Sequence, residues 1–309
     1  MMLCDLSPGD EVILPSFTFV SAANAIVLRG ATPVFIDCRV DNFNIDESLI
    51  AQAITSKTKA ILIMHYGGVS CDMDAIMEIA EHHQLLVIED AAHCIEAYDK
   101  NGVHLGTRGH MAALSFHHTK NIHCGEGGAL LINDSQLIDR AIILRDKGTN
   151  RQSFLEGHDQ FYSWVDIGSS YSMSEMSARF LLEQLYALPQ VIEKRLSLWN
   201  QYDVALRDLS YYNSSVLKGC HHNGHIFYLI FGSLDQRDFV MRELIEAGID
   251  SRFHYVPLHS STYGSQFRFV QEEDRTTKMA ECMLRLPLYH TMTSEQVAYV
   301  IHTLRKILI

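Results

Sequence analysis

Two hydrophobic periods alternate along the first two-thirds of the chain, and this alternation restricts the fold more than any other feature. Residues 46–54, 72–82 and 134–146 repeat apolar residues at helical spacing. Around them lie short, almost continuous aliphatic runs, typical of strands that are covered on both faces. These runs occupy residues 11–14, 33–36, 60–64, 85–88, 113–116 and 129–132. Strands alternating with helices predict an α/β fold with a mainly parallel sheet.

The pattern changes near residue 190. Ser172 and Glu175 have the spacing of a capping box, which predicts a helix to about residue 188. Pro189 then begins a second helical pattern. Beyond it the order of elements no longer alternates regularly, and the sequence predicts a strand at 225–231, a helix at 235–247, a short strand at 251–255 and closing helices near Thr276 and Ser294. We expect a large domain at residues 1–190 and a small α+β domain at residues 191–309.

Composition excludes several classes of function. The chain has 309 residues, with 25 Lys and Arg against 37 Asp and Glu, so its net charge is −12. An acidic chain without a basic run is a poor ligand for nucleic acids or anionic membranes. No apolar run approaches the ~20 residues that a membrane span needs. Seven scattered cysteines without a C-x-x-C pair predict reduced thiols in the cytoplasm.

A metal site is not expected, although the chain contains 17 histidines. No H-E-x-x-H or H-x-H pattern occurs in the sequence. The densest cluster, which contains His117, His118 and His123, does not have the spacing of a preformed tetrahedral site. We therefore interpret most of the histidines as ordinary polar or core positions.

Chemically distinctive residues follow two of the predicted strands. Asp90 and His93 come just after residues 85–88, and Lys120 comes shortly after residues 113–116. Taken singly, the acid could be a turn former and the lysine a surface charge. Because the carboxyl ends of parallel strands form the site of an α/β sheet, the pair suits a pyridoxal phosphate enzyme. The turn at 125–128 lacks the patterns of a dinucleotide site or a P-loop.

The same segments resemble the DegT/StrS-type nucleotide-sugar aminotransferases, which have the pyridoxal phosphate (PLP) transferase fold of type I. The resemblance extends over essentially the whole chain. It is carried by residues 15–20, 89–93, 115–120, 125–128, 145–151, 164–171, 253–259 and 284–288. Related enzymes that remove a sugar hydroxyl have histidine where Lys120 stands, so the lysine favours transamination.

The resemblance implies a role for each matching residue. Lys120 would be the Schiff-base lysine and would also move the proton during transamination. Asp90 would pair with the pyridinium nitrogen of PLP. The remaining cofactor-binding residues would be Phe19 stacked on the ring, His93 at the ring hydroxyl, Ser115 at the phosphate and Ser170 at the phosphate of a neighbouring subunit. His254, Tyr255 and His259 would line the sugar pocket.

The implied reaction has glutamate as the amino donor and a nucleotide sugar as the acceptor. Within the family, the resemblance is strongest to members that aminate C4 of dTDP-4-dehydro-6-deoxyglucose, and it implies a homodimer. Two alternatives stay open. The chain could act on another keto nucleotide sugar, or it could be a non-catalytic remnant with impaired PLP binding.

The beginning of the chain departs from the family pattern. Family members have an earlier strand and a Ser/Thr-rich turn at a helix N-terminus, where backbone amides bind the cofactor phosphate. Met1 falls inside what would be that first helix. We expect a chain that is truncated relative to the family, with weakened cofactor binding and an uncovered apolar surface on the large domain.

Overall fold

A computed structural model describes residues 1–211 and 220–308. Its strands, in chain order, are β1 Glu11–Pro15, β2 Thr32–Ile36, β3 Thr58–Met64, β4 Leu86–Asp90, β5 Met111–Ser115, β6 Gly128–Ile132, β7 Phe227–Ile230, β8 Phe269–Val270 and β9 Met283–Leu286. Seven of them form one sheet in the order β6-β5-β4-β3-β1-β2-β8, while β7 and β9 form a second, antiparallel sheet. Among the described strands of the large sheet, β5 and β6 are the one antiparallel pair. The predicted α/β fold with a mainly parallel sheet is confirmed.

The helices connect the strands as the apolar periods predict. They are α1 Val20–Val27, α2 Ile50–Ala53, α3 Met73–His83, α4 Ile138–Arg145, α5 Arg151–Leu155, α6 Glu175–Tyr186, α7 Leu188–Leu206, α8 Leu234–Glu246, α9 Arg275–Cys282 and α10 Ser294–Leu308. Asp72 caps α3 by accepting a hydrogen bond from the amide of Ala75. The predicted capping box is wrong, because Ser174 rather than Ser172 caps α6 and accepts from the amide of Ser177.

Both faces of the large sheet are covered by apolar residues. Alternate residues of β1 point to opposite faces: Leu14 packs with Ile26 of α1, and Ile13 packs with Ile76 of α3. The sheet is less well covered at one edge. There β6 has no neighbour beyond it among the described strands, and its residue Leu130 is 49% exposed. The rigid centre of the sheet therefore fixes the carboxyl ends of β4 and β5, where the predicted site residues lie.

The C-terminal part has a core of its own, in which α7, α8 and α10 pack against β7 and β9. It also supplies β8, which pairs with β2 and becomes the outer strand of the large sheet. The expected strand at 251–255 is wrong: it is reduced to one bridge between Arg252 and Arg285, and Pro257 follows closely. The domain boundary near residue 190 remains a prediction.

None of the helices within the described residues is both long and apolar enough to cross a membrane.

Candidate active site

Two residues at the ends of neighbouring strands form the centre of the site. Asp90 is the last residue of β4 and is paired in register with Ala113 of β5. In a parallel pair such partners point to the same face, and Ser115, two residues further along β5, shares it. The chain then turns, with the Lys120 amide donating to the carbonyl of His117 at 2.9 Å. This turn brings Lys120 back toward Asp90.

Asp90 and Lys120 are both partly buried and have few partners. Burial raises the pKa of Asp90, while the Ala92 amide and the charge of Lys120 counter that shift. Burial lowers the pKa of Lys120, and Asp90 opposes the change. Among the described residues, no carboxylate lies within 4.0 Å of the Lys120 ammonium, and Asp90 Oδ2 accepts no hydrogen bond. A buried lysine with a lowered pKa is a better nucleophile, because more of it is neutral.

His93 stands beside this pair and is neutral. It is buried, and burial followed by the positive charge of Lys120 holds its pKa well below the usual value. Its Nδ1 accepts from the Gly67 amide at 3.1 Å, so the ring proton is on Nε2. The ring stacks on His225, with 4.1 Å between centroids. His93 therefore presents a hydrogen-bond donor to the site.

A second buried histidine closes the back of the site. His225 Nδ1 lies 2.8 Å from Oδ1 of Asn121, the residue that follows Lys120. The Asn121 amide nitrogen also donates to the carbonyl of Asn223 at 3.3 Å. A cavity in front of this network is lined by His93, Ser115 and Lys120, among others. The network orients the turn that carries Lys120.

Aromatic side chains form the opposite wall. Tyr255 lies 4.3 Å from His254 in a stacked pair and 6.2 Å from Phe19, centroid to centroid. Phe19 is 55% exposed, whereas Phe17 is fully buried. His254 Nδ1 is 3.2 Å from the Tyr66 hydroxyl. Tyr255 thus lies between Phe19 and His254 in a row of rings, and the role of the three residues in the site stays a prediction.

Arg285 is a site residue that sequence reasoning missed. It lies in β9, its Nη1 contacts His254 Nε2, and its charge lowers the pKa of Lys120. One signal was available: an arginine stands between Leu284 and Leu286 in an otherwise apolar strand.

Two of the predicted site residues have contacts with residues other than Lys120 and Asp90. His259 is hydrogen bonded through Nδ1 to the Ser16 hydroxyl at 2.6 Å, and its ring stacks on Phe269. Ser170 is exposed and forms an isolated bridge with Asp146. No hydrogen bond or ring contact within residues 1–211 and 220–308 joins either of them to Lys120 or Asp90. The roles of both residues stay predictions.

In the structure, the histidines near Lys120 do not group as the sequence cluster of His117, His118 and His123 would require. His117, His118 and Glu126 place potential ligand atoms within 4.8 Å of one another. His123 instead lies near Phe180, 5.6 Å between centroids. His117 Nδ1 is already paired with the Thr119 hydroxyl at 2.8 Å. His118 and Glu126 are exposed and His117 is half-buried, so water reaches these side chains, and we assign them no metal.

The residues that meet here fit PLP. Lys120 and Asp90 supply the amine and the carboxylate that the cofactor needs at opposite ends of its ring. Asp90 keeps Oδ2 free, and its register partner Ala113 is small and exposed, so a flat ring has room beside the carboxylate. His93 adds a donor and Ser115 a hydroxyl on the same side.

Comparison with known proteins agrees with this chemistry. Residues 1–305 match the DegT/DnrJ/EryC1/StrS aminotransferase family. The chain is similar to the spore coat polysaccharide biosynthesis protein SpsC of Bacillus subtilis, with 33% identity over 98% of this chain and 80% of SpsC.

Two solved structures show the same fold. The aminotransferase TlmJ of Streptoalloteichus hindustanus is 29% identical and superposes with a TM-score of 0.89 over 100% of this chain and 82% of TlmJ. The PLP-form of Spr1654 from Streptococcus pneumoniae is 26% identical, with a TM-score of 0.87 over 99% of this chain and 82% of its own. The protein therefore belongs to the DegT/DnrJ/EryC1/StrS aminotransferase family and is a PLP-dependent sugar aminotransferase.

Proposed function

We propose that the chain transfers the amino group of glutamate to C4 of dTDP-4-dehydro-6-deoxyglucose, forming dTDP-4-amino-4,6-dideoxygalactose. The observation that carries the proposal is the meeting of Lys120 and Asp90 at the ends of neighbouring strands. The choice of C4 rests on the resemblance of the motifs to family members that act there. The name of the relative SpsC supports a product destined for a surface polysaccharide, such as the enterobacterial common antigen.

Each residue of the site contributes a separate part of the reaction. PLP, when bound, supplies an electron sink for the carbon that carries the amino group. Lys120 holds the cofactor and carries the proton at Nζ, which its lowered pKa helps it to release. Asp90 Oδ2 accepts from the protonated ring nitrogen, and His93 Nε2 donates to the ring hydroxyl. Ser115 Oγ donates to the phosphate, and Phe19 covers the ring.

The sugar pocket lies on the side of the aromatic wall. His254 and Tyr255 offer the flat surfaces and polar edges on which a sugar ring packs, and Tyr255 is close to Phe19. His259 lies further along the same loop, and its two ring nitrogens are within hydrogen-bond distance of the Ser16 and Thr277 hydroxyls. We propose that His254 and Tyr255 contact the sugar and that His259 supports the loop.

We also propose that the protein works as a homodimer. Large apolar side chains between residues 154 and 186 are exposed, including Trp164 at 81% and Met176 at 84%. A patch of this kind marks an interaction surface. Ser170 lies within this stretch, consistent with its predicted role at the partner's phosphate site. Light scattering of the purified protein tests the dimer, and a monomeric mass would contradict it.

The cytoplasm is the compartment that best suits this chemistry. All seven cysteines are free thiols, five of them buried. Free cysteines persist where the surroundings are reducing. We place the protein there with its nucleotide-sugar substrate.

The proposal is tested by spectroscopy followed by turnover. The purified chain is incubated with PLP and reduced with borohydride, beside Lys120→Ala and the surface control Lys57→Ala. We expect wild type and Lys57→Ala to show a visible absorbance band, which borohydride removes as it attaches the cofactor covalently to the protein. Lys120→Ala should show neither the band nor the attached cofactor. Glutamate and dTDP-4-dehydro-6-deoxyglucose should then yield the C4 amino sugar, identified by mass spectrometry and NMR.

Each result of this test is informative. If the wild-type chain shows no band at high PLP concentration, it is a non-catalytic remnant. If the band forms but only another keto nucleotide sugar is aminated, the proposed substrate is wrong while the aminotransferase assignment stands.

A further inference from the structure

His225 is a buried histidine of the site to which the proposed reaction gives no part. It lies just before β7 and lines the same cavity as Lys120. Its backbone is held from behind by buried Arg195, which donates from Nε to the carbonyl of Gly224 at 3.0 Å and from Nη2 to the carbonyl of His225 at 2.6 Å. A Cβ at Gly224, where φ is +62°, would lie 3.0 Å from the Arg195 backbone. The segment that carries His225 is therefore held in one conformation.

The hydrogen bonds of Asn121 determine where the proton of the His225 ring lies. The Asn121 amide nitrogen donates at 3.3 Å to the carbonyl of Asn223, a group that can only accept. The amide oxygen of Asn121 therefore faces His225, and Nδ1 of the ring, 2.8 Å away, donates to it. Burial holds the pKa of His225 well below its usual value, so the ring is neutral and Nε2 carries no proton. The ring thus directs one donor at the residue that follows Lys120.

The same ring contacts the other side of the site. It stacks on His93, with 4.1 Å between the ring centroids. Because burial keeps both rings neutral, no like-charge repulsion opposes this stack. The Asn223 side-chain nitrogen donates to the carbonyls of His93 and Ile95, each at 2.7 Å. Residues 223–225 therefore hold both the turn that carries His93 and the turn that carries Lys120.

Lys120 depends on its turn for its position. Within residues 1–211 and 220–308, its Nζ forms neither an ion pair nor a hydrogen bond. While Nζ is bonded to the cofactor, that bond fixes the side chain. Once the amino donor has displaced Nζ, the turn alone keeps the free amine beside the α-carbon from which it removes a proton. A displacement of about 1 Å at a reacting group is enough to cost about 100-fold in rate.

We propose that His225 is a positioning residue for this proton transfer. Through Asn121 it keeps the free amine of Lys120 in place, and through the stacked rings it keeps His93 directed at the cofactor. The inference rests on the proposed function, because that function assigns the proton transfer to Lys120. Since His225 acts through its neighbours, its loss should slow proton transfer more than it weakens the binding of glutamate.

Two variants of His225 separate the contacts of its ring. His225→Phe keeps a flat ring beside His93 but cannot donate to Asn121, whereas His225→Asn keeps a donor and loses the ring. Asn121→Ala removes the same hydrogen bond from the other side. The matched control is His110→Phe, because Nδ1 of His110 accepts from the amide of Val87 at the beginning of β4, the end of that strand away from the site.

The measurements follow the lysine with and without bound cofactor. Each PLP-loaded protein is mixed with glutamate at several concentrations, and the loss of the visible PLP band gives the rate of the first half-reaction. The series is repeated with glutamate deuterated at the α-carbon. The cofactor-free proteins are mixed with PLP, and the appearance of the band gives the rate of capture. Circular dichroism and urea unfolding establish that each variant is folded.

We expect His225→Phe and Asn121→Ala to lower the limiting rate with glutamate by about 10–100-fold. The half-saturating glutamate concentration should stay within about threefold of wild type. The isotope effect should rise, because proton transfer becomes slower relative to the other steps. Capture of PLP should slow by about tenfold, since it needs the same amine in the same place.

The double variant and the conservative variant sharpen the test. His225→Phe combined with Asn121→Ala should lose no more than either change alone, because both break one hydrogen bond. His225→Asn should recover most of the rate and bind PLP more weakly, because His93 has lost its stacking partner. His110→Phe should match wild type in every kinetic measurement.

Three results would overturn the inference. Rates within about threefold of wild type in His225→Phe and Asn121→Ala would show that the turn needs no such support. Losses that add in the double variant would show that the two residues act separately, and equal losses in His225→Phe and His225→Asn would assign the effect to packing. If His225→Phe does not fold, Asn121→Ala and His225→Asn decide the question. The proposed function fails differently: wild type would capture no PLP, or Lys120→Ala would keep the band.

Discussion

Glu89 and Asp90 are adjacent carboxylates at the end of β4, and they point to opposite faces of the sheet. Glu89 is fully buried and its hydrogen-bonding capacity is used: it accepts from His65 Nε2 at 2.8 Å and from the amides of Gly106, Arg108 and Gly109. Among the residues that the structure describes, Asp90 accepts from a single amide, that of Ala92. One carboxylate is part of the framework, while the other keeps an oxygen free in the site.

The pKa shifts of the two acids differ in the same way. Burial alone raises the pKa of Glu89, but hydrogen bonds from His65 and from backbone amides hold it below its usual value. Burial raises the pKa of Asp90, which has too few donors to oppose the shift. Saturated hydrogen bonding indicates a structural role here, and unsatisfied hydrogen-bonding capacity indicates a ligand.

The largest effect that we predict is on the folding of Glu89→Gln. Replacing this carboxylate leaves His65 and three backbone amides facing a side chain that itself carries donors. Breaking a buried pair in this way should lower the free energy of unfolding by about 3–5 kcal/mol. Urea unfolding followed by circular dichroism measures it, with the exposed Asp139→Asn as control. A loss below about 1 kcal/mol would contradict the structural role.

Asp90→Asn should instead remove activity and leave the fold intact. A neutral amide cannot hold the proton on the cofactor ring nitrogen, so we expect kcat to fall by about 10²–10³-fold. Far-ultraviolet circular dichroism and binding of PLP should remain close to wild type. Full activity in Asp90→Asn would show that the free oxygen of Asp90 has no part in catalysis.

The comparison also shows what the sequence could predict. Asp90 and Lys120 were predicted because they follow apolar strands, and strand ends converge in any parallel sheet. The different roles of Glu89 and Asp90 could not be predicted, because they depend on which hydrogen-bond donors the loop around Gly106 places beside Glu89. Arg285 was missed for the same reason: only the packing of β9 against His254 brings it to the site. Local periodicity specifies elements, whereas contacts between distant segments complete the site.

Acid should unfold the protein partly through Glu89. Its folded pKa lies below the usual 4.5, so its contribution to stability is complete above that pH and is lost as the pH falls through the folded pKa. The unfolding free energy should therefore decline below about pH 4.5, by at most about 1.4 kcal/mol per pH unit for this one group. Urea midpoints between pH 3 and 6 measure the slope. Glu89→Gln should show a shallower slope than wild type.

The smallest predicted effect has the opposite sign and concerns the stability of Asp90→Asn without cofactor. The folded pKa of Asp90 is raised, so its ionised form costs stability as the pH rises above the unfolded value of 3.8. Because Asp90 is partly exposed, solvent screening limits this cost. Near neutral pH the variant should melt about 1–2 °C higher than wild type, and the gain should vanish below about pH 3. A lower melting temperature would mean that the charge of Asp90 is stabilised by Lys120 even in the absence of cofactor.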